Sequence, residues 1–125
     1  MTRRRWLIGA VAWGVILHAP LAWAHAKLLR SEPAARSVLR SPPTALRLWF
    51  NERIEAAFSS VEVRDAASKV IATGKISVDA SDPKRMQMDL PPLIDGVYAV
   101  HYRVLSVDGH VIRASFKFTV RVQGQ

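Results

Sequence analysis

Three residues of this sequence could act together as ligands of a metal ion: His25, Asp108 and His110. Asp108 and His110 are two positions apart, and such residues in an extended chain point to the same side at a spacing of about 6.6 Å. A carboxylate and an imidazole placed in this way can bind one ion. The same Asp108-Gly109-His110 stretch is also typical of a hairpin turn without any metal role.

His25 becomes a stronger ligand if the chain is cut immediately before it. Residues 1–24 have the pattern of a cleaved secretory signal peptide, with three arginines near the start, an apolar run over residues 7–17, and small residues ahead of a cleavage site after Ala24. Cleavage there would give His25 a free α-amine. Its reference pKa of about 7.7–8.0, beside about 6.5 for the imidazole, lets both groups bind metal near neutral pH.

Two alternatives to this processing remain open. The apolar run could stay in the membrane as an anchor, but His18 and Pro20 interrupt it, and a spanning helix needs about 20 apolar residues. A histidine that follows a cleavage site could also simply be solvated. Residues 2–7 approximate a twin-arginine signal, so we expect export by the Sec or the twin-arginine route.

The composition restricts what else the chain can do. The sequence has no cysteine, which excludes disulfides, thiolate zinc sites, blue-copper sites and cysteine nucleophiles. Residues 25–125 are long enough for one small domain, and they carry 15 Lys and Arg against 10 Asp and Glu, a net charge of +5. These charges are scattered without the basic, aromatic-rich run of a nucleic-acid surface, so we predict a solvated exterior and no nucleic-acid partner.

The elements that must position the candidate ligands are short β-strands. Alternation of apolar and polar residues predicts strands over 45–51, 58–64, 69–73 and 85–90, followed by a long antiparallel pair over 98–104 and 111–122 with Asp108-Gly109 in its turn. The prolines at 33, 42, 43, 83, 91 and 92 are expected between strands. About seven strands and no convincing helix predict an all-β antiparallel sandwich or Greek-key barrel.

His25, Asp108 and His110 would together offer an amine, two imidazoles and a carboxylate. Three nitrogens and one oxygen suit the tetragonal geometry of Cu(II), which also heads the affinity order of the divalent first-row ions. Zinc and nickel bind the same ligand types and remain possible. The residues alone therefore predict a metal site and favour copper.

Five short motifs follow one another along the chain: His25-Ala26-Lys27-Leu28, Ser31-x-Pro33-Ala34, Leu48-x-Phe50-x-Glu52, Asp82-Pro83-Lys84 and Ser106-x-Asp108-x-His110. With these motifs in this order, the segment 25–125 resembles the periplasmic copper-resistance protein CopC family. The resemblance implies a small immunoglobulin-like β-sandwich that binds copper in the periplasm and catalyses no reaction.

The resemblance also implies a role for each matching residue. His25 would bind Cu(II) through its amine and imidazole, Asp108 and His110 would complete the site, and Glu52 would form hydrogen bonds beside it. Some family members carry a methionine-rich stretch that binds Cu(I). Here the segment has only Met86 and Met88, in strand positions that favour core packing, so we predict a Cu(II) site and no separate Cu(I) site.

The resemblance implies a protein that holds copper for tolerance, storage or delivery to a CopD-type membrane importer. We expect a monomer with no small-molecule substrate. One rival is a copper-dependent oxidative enzyme of the lytic polysaccharide monooxygenase kind, which also begins with a copper-binding histidine. Against it stand the short chain, the absence of an aromatic platform and a carboxylate at Asp108 where oxygen needs an open position. The other rival is a metal-free immunoglobulin-like module. His101, which alternates out of the core, is assigned no role.

Overall fold

The computed structural model describes residues 27–122, and the predicted signal peptide over 1–24 and His25 lie outside them. Over these described residues, nine strands and one 3-10 turn follow one another. The strands are β1 (Leu28–Glu32), β2 (Val38–Leu39), β3 (Ala45–Phe50), β4 (Ser60–Arg64), β5 (Val70–Thr73), β6 (Ser77–Asp79), β7 (Asp82–Asp89), β8 (Gly96–Leu105) and β9 (Val111–Val120), and the 3-10 turn is Ala56–Phe58. Over residues 27–122, no helix is long and apolar enough to cross a membrane.

The strands form two sheets. One has four strands in the order β1-β3-β7-β6, and the other has five in the order β2-β9-β8-β4-β5. Every neighbouring pair is antiparallel except β2 and β9, which run parallel with Val38 beside Thr119. The predicted all-β sandwich is confirmed, with nine strands in place of about seven.

The core lies between the sheets and follows the predicted alternation. Leu46, Leu48 and Phe50 of β3 are buried, and Tyr98, Val100, Tyr102 and Val104 of β8 are buried opposite them. Phe50 and Tyr102 meet edge to face across the sheets, with ring centroids 5.9 Å apart. Met86 and Met88 are 1% and 5% exposed, so both methionines pack in the core as the sequence indicates.

The structure corrects three details of the sequence analysis. Pro83 lies inside β7 rather than between strands, at the beginning of the strand where the pairing with β6 shifts its register; an irregular ladder tolerates a residue without an N–H donor. Val122 does not extend the core face of β9, because the strand ends at Val120 and Val122 is 44% exposed. The short strands β1, β2 and β6 were not predicted, because their side chains show no clear alternation in burial.

Candidate metal centre

Asp108 and His110 lie in the loop that closes the longest hairpin of the molecule. β8 and β9 pair over ten residues each, from Gly96 beside Val120 to Leu105 beside Val111. Beyond them, the N–H of Ser106 donates to the carbonyl of His110 at 2.9 Å, and the N–H of Gly109 donates to the carbonyl of Ser106 at 3.0 Å. A tight three-residue loop results, with Gly109 at a φ of +90° that favours glycine.

The side chain of Ser106 stabilises this loop through hydrogen bonds to two of its residues. Ser106 is 1% exposed, and its hydroxyl donates to Oδ1 of Asp108 and accepts the backbone N–H of His110 at 3.3 Å. Ser106 also forms an isolated β-bridge with Ile54. One buried hydroxyl therefore fixes both candidate ligand residues relative to the core.

Asp108 and His110 contact each other directly. Nδ1 of His110 lies 3.0 Å from Oδ2 of Asp108, and the two side chains are 28% and 38% exposed, respectively. The pKa of Asp108 is lowered from 3.8 to about 2, chiefly by the hydrogen bond from the Ser106 hydroxyl; partial desolvation opposes this shift, and the hydrogen bonds and charge of His110 add to it. Asp108 is thus an ionised carboxylate at any physiological pH.

The contact distance fits two ligands of one ion. Bonds of about 2.0–2.1 Å from a metal to nitrogen and oxygen, at the right angle of a tetragonal site, put the two ligand atoms about 2.9 Å apart. The pair Nδ1 and Oδ2 already has a separation of 3.0 Å. A divalent ion could bind between these atoms with little movement of the loop.

The segment after β3 packs beside this loop and holds the start of the described chain. The N–H of Val107 donates to the carbonyl of Arg53 at 3.1 Å. Two residues earlier in the segment, the N–H of Asn51 donates to the carbonyl of Lys27 at 3.0 Å, and Oδ1 of Asn51 accepts the N–H of Lys27 at 2.6 Å. Asn51 therefore anchors Lys27, the first described residue.

Glu52 occupies the position after Asn51 and has a buried acceptor atom that no described residue satisfies. Its Oε2 is buried and accepts no hydrogen bond from the described residues. A buried carboxylate oxygen without a partner is costly in a folded protein. An N–H group placed beside it would satisfy this oxygen.

The residues that the structure describes bring together two of the three predicted ligands. No group of three His, Cys, Asp or Glu side chains with metal-binding spacing occurs within 27–122. His101 lies away from the centre, on the outer side of β8 beside Ser115 of β9. Sequence reasoning missed the roles of Ser106 and Asn51; a hydroxyl two residues before Asp108 was the available signal for Ser106.

Comparison with known proteins identifies relatives over most of the chain. A family model described as the CopC domain matches residues 28–121. Protein YobA of Escherichia coli K12 is 33% identical over 109 residues, covering 84% of this chain and 86% of the relative. Copper resistance protein C of Pseudomonas syringae pv. tomato is 34% identical over 116 residues, covering 88% and 90%. Copper transport protein CutJ of Bacillus subtilis is 28% identical over 121 residues, 96% of this chain but 22% of CutJ.

Solved structures agree with these matches. CopC from Methylosinus trichosporium OB3b superimposes with a TM-score of 0.77 at 32% identity, covering 81% of this chain and 98% of that one. PcoC, a methionine-rich copper resistance protein from E. coli, gives a TM-score of 0.68 at 32% identity, covering 78% and 100%. The expected family, fold and non-enzymatic character are thereby confirmed: this chain belongs to the CopC family, whose members are copper-binding resistance proteins and not enzymes.

Proposed function

We propose that this chain is a periplasmic protein that binds one Cu(II) ion through His25, Asp108 and His110. The observation that carries the proposal is the contact between Asp108 and His110, with ligand atoms 3.0 Å apart on a loop fixed by Ser106. The carboxylate of Asp108 and the imidazole of His110 are thus already positioned as two ligands. A four-coordinate site needs two more ligand atoms.

The anchoring of Lys27 supports His25 as the source of the missing ligands. Asn51 fixes the backbone of Lys27 on both sides of that residue. His25 precedes Lys27 by two residues, so its Cα can lie at most about 7 Å from that of Lys27. The amine and imidazole of a processed N-terminus are therefore within reach of the segment that packs against the Asp108 loop.

The unpartnered oxygen of Glu52 supports the same arrangement. Oε2 of Glu52 is buried one residue after Asn51, and an amine or imidazole N–H of His25 is the kind of donor that it lacks. Such a carboxylate would orient the copper ligand and tune its affinity without touching the ion. Glu52 is accordingly proposed as a positioning residue.

The donor set favours Cu(II) over Cu(I). Nitrogen and carboxylate ligands suit Cu(II), whereas Cu(I) selects soft thioether or thiolate sulfur. The described residues offer no exposed sulfur, since Met86 and Met88 are both buried in the core. Reduction of the ion, or protonation of the amine and imidazoles, would therefore release copper to a recipient.

The biological role that this chemistry fits is copper tolerance by storage or delivery. CutJ, named as a copper transport protein, contains a region similar to this chain within a much longer protein. This chain would accordingly hold copper and deliver it to a CopD-type membrane importer. We further propose export by a cleaved signal peptide over 1–24 and a monomeric state.

Cu(II) titration followed by electron paramagnetic resonance tests the site. One version begins at His25, and a second carries one extra glycine before it, which converts the α-amine into an amide. We expect the first version to bind one Cu(II) with a nitrogen-rich tetragonal spectrum and the second to bind at least about tenfold more weakly, as expected for a lost ligand interaction. Equal affinities and identical spectra would exclude the amine as a ligand.

A further inference from the structure

The two outer faces of the sandwich differ in how their charges are paired. On the four-stranded sheet, Arg30 and Arg47 both form ion pairs with Glu32, and Arg85 forms one with Asp79. Each of these outward arginines thus has a carboxylate partner on the same face. These three arginines are therefore neutralised within the four-stranded sheet.

The outer face of the five-stranded sheet is different, and we refer to six of its residues as the basic face: Arg64, His101, Arg103, Arg113, Ser115 and Lys117. Two acids lie among their neighbours: Glu62 is already paired with Arg64, and Asp65 accepts the backbone N–H groups of Ala67 and Lys69. Arg103 donates to the uncharged carbonyl of Phe58 at 2.9 Å. Within residues 27–122, Arg113 and Lys117 take part in no ion pair.

The strand register concentrates these unpaired charges. Arg103 of β8 lies directly opposite Arg113 of β9, while His101 faces Ser115 and Ala99 faces Lys117. Like charges directly opposite each other across strands are destabilising. Arg103 and Arg113 therefore repel each other, and no ion pair within residues 27–122 offsets this repulsion. An anion bound from outside would reduce it.

Short side chains between the cations leave room for such a group. Depressions of about 410 Å³ and 620 Å³ meet at His101 and Ser115. Arg64, Lys117 and one acid, Asp65, line the first. Arg64, Arg103, Arg113 and one acid, Glu62, line the second. The surface is thus a pair of shallow basins in which the cationic side chains outnumber the acidic ones.

We propose that the basic face is a docking surface for an acidic protein segment, with closely spaced Asp or Glu side chains. Single carboxylates can enter the two basins and meet the arginines from the side, whereas a flat lipid surface would contact their rims alone. The net charge of +5 on residues 25–125 would also steer an acidic partner towards the chain.

The basic face adjoins the candidate metal centre. Arg113 follows His110 by three residues, about 10 Å along an extended strand. A segment docked across Arg103 and Arg113 would place the rest of its protein next to Asp108 and His110. We infer that this partner exchanges copper with the chain; that identity rests on the proposed function, whereas the docking does not.

Binding of a defined peptide tests the docking surface. The probe is a ten-residue peptide of alternating glutamate and serine, titrated at low salt into copper-free and copper-loaded protein, with backbone amide shifts followed by NMR. We expect the shifts to map to β4, β8 and β9. The triple variant R103Q/R113Q/K117Q should bind at least about tenfold more weakly, because its cations are removed. The variant R40Q/K75Q/K84Q, changed at exposed positions elsewhere, removes the same charge and should bind nearly as the parent does.

Other outcomes would overturn the proposal. Equal weakening in both triple variants would show attraction by net charge alone. Binding to phosphatidylglycerol vesicles through the basic face, without binding of the peptide, would identify a lipid surface instead. Peptide binding by a chain that takes up no Cu(II) would keep the docking surface and exclude copper exchange, so the two proposals fail separately.

Discussion

At the scale of single residues, the candidate centre depends on the loop residues Ser106, Asp108 and His110. The spacing of Asp108 and His110 makes them visible in the sequence as a potential pair of ligands. Ser106 was not visible in the same way, because serine beside a turn is ordinary and its importance depends on its burial and on the direction of its hydroxyl. Sequence can thus predict ligand types, whereas the groups that orient them need coordinates.

Ser106→Ala should release Asp108 from its main stabilising contact. The pKa of Asp108 is about 2 because the Ser106 hydroxyl bonds its charged form. In the metal-free variant we expect this pKa to rise towards 3.8, measured by NMR titration of the side-chain carboxyl carbon. Cu(II) affinity should fall about tenfold to a hundredfold, as for other groups that orient metal ligands. Ser115→Ala on the exposed side of β9 is the control, and an unchanged pKa of Asp108 in S106A would contradict the assignment.

The stability of the metal-free protein should depend on Asp108 in acid. The pKa of this carboxyl is 3.8 when unperturbed and about 2 in the fold, so its contribution to stability is complete above about pH 4 and is lost as the pH falls towards 2. Asp108→Asn should flatten this part of the pH profile. Urea unfolding at intervals between pH 2 and 5 measures the effect, and parallel profiles for parent and variant would argue against it.

His110→Ala should weaken Cu(II) binding much more than His101→Ala. His110 contacts Asp108 in the centre, whereas His101 lies on the outer side of β8. We expect a loss of at least about tenfold in affinity for H110A, as for removal of a coordinating group, and none for H101A. Competitive titration against a chelator of known affinity provides the measurement. A comparable loss in both variants would place copper elsewhere.

At the scale of the elements, the periodic strands were predictable and the irregular ones were not. β3, β4, β7 and β8 alternate between core and solvent, because each has one face on the core and one in water. β2 has two residues and pairs with β9 through the backbone, which leaves no period to detect. The turn between β8 and β9 was readable from Asp108-Gly109, but its three-residue form depends on bonds from Ser106.

Gly109→Ala should destabilise the loop through backbone strain alone. Gly109 has a φ of +90°, and a Cβ there would meet nothing within 4 Å. We expect a loss of about 1–2 kcal/mol in the free energy of unfolding, the usual cost of a side chain in the left-handed region. Gly74→Ala is a matched control, since Gly74 has equal space and no positive φ. Chemical unfolding of both variants measures the difference, and equal losses would rule out strain at Gly109.

At the scale of the whole molecule, stability comes from packing between the sheets. The sequence has no cysteine, and the core joins side chains of both sheets in one buried cluster. A cystine-free β-sandwich was predictable from composition and alternation. The charge pairing of the two outer faces was not, because it depends on which strands lie side by side.

Leu48→Ala should test how much of the stability this core supplies. Leu48 is 1% exposed, whereas Leu29 of β1 is 62% exposed. Removing a buried leucine costs about 2–5 kcal/mol, a large part of the about 5–15 kcal/mol that holds a domain folded. We expect L48A to lose that amount in urea unfolding and L29A to lose much less. Similar losses would mean that the burial of Leu48 contributes little.

Because β1 is an edge strand, bound copper would add to the stability of the fold. β1 pairs with β3 alone, so it is held along one side. An ion bound both by the residue ahead of β1 and by the β8–β9 loop would close a chain loop of more than 80 residues. Since such an ion would bind the folded chain and not the separated ligands of the unfolded chain, it would stabilise the fold by its binding free energy. In a domain without disulfides, bound copper would therefore supply a stabilising link between the two ends of the chain. The protein would become easier to unfold as soon as it delivers its copper.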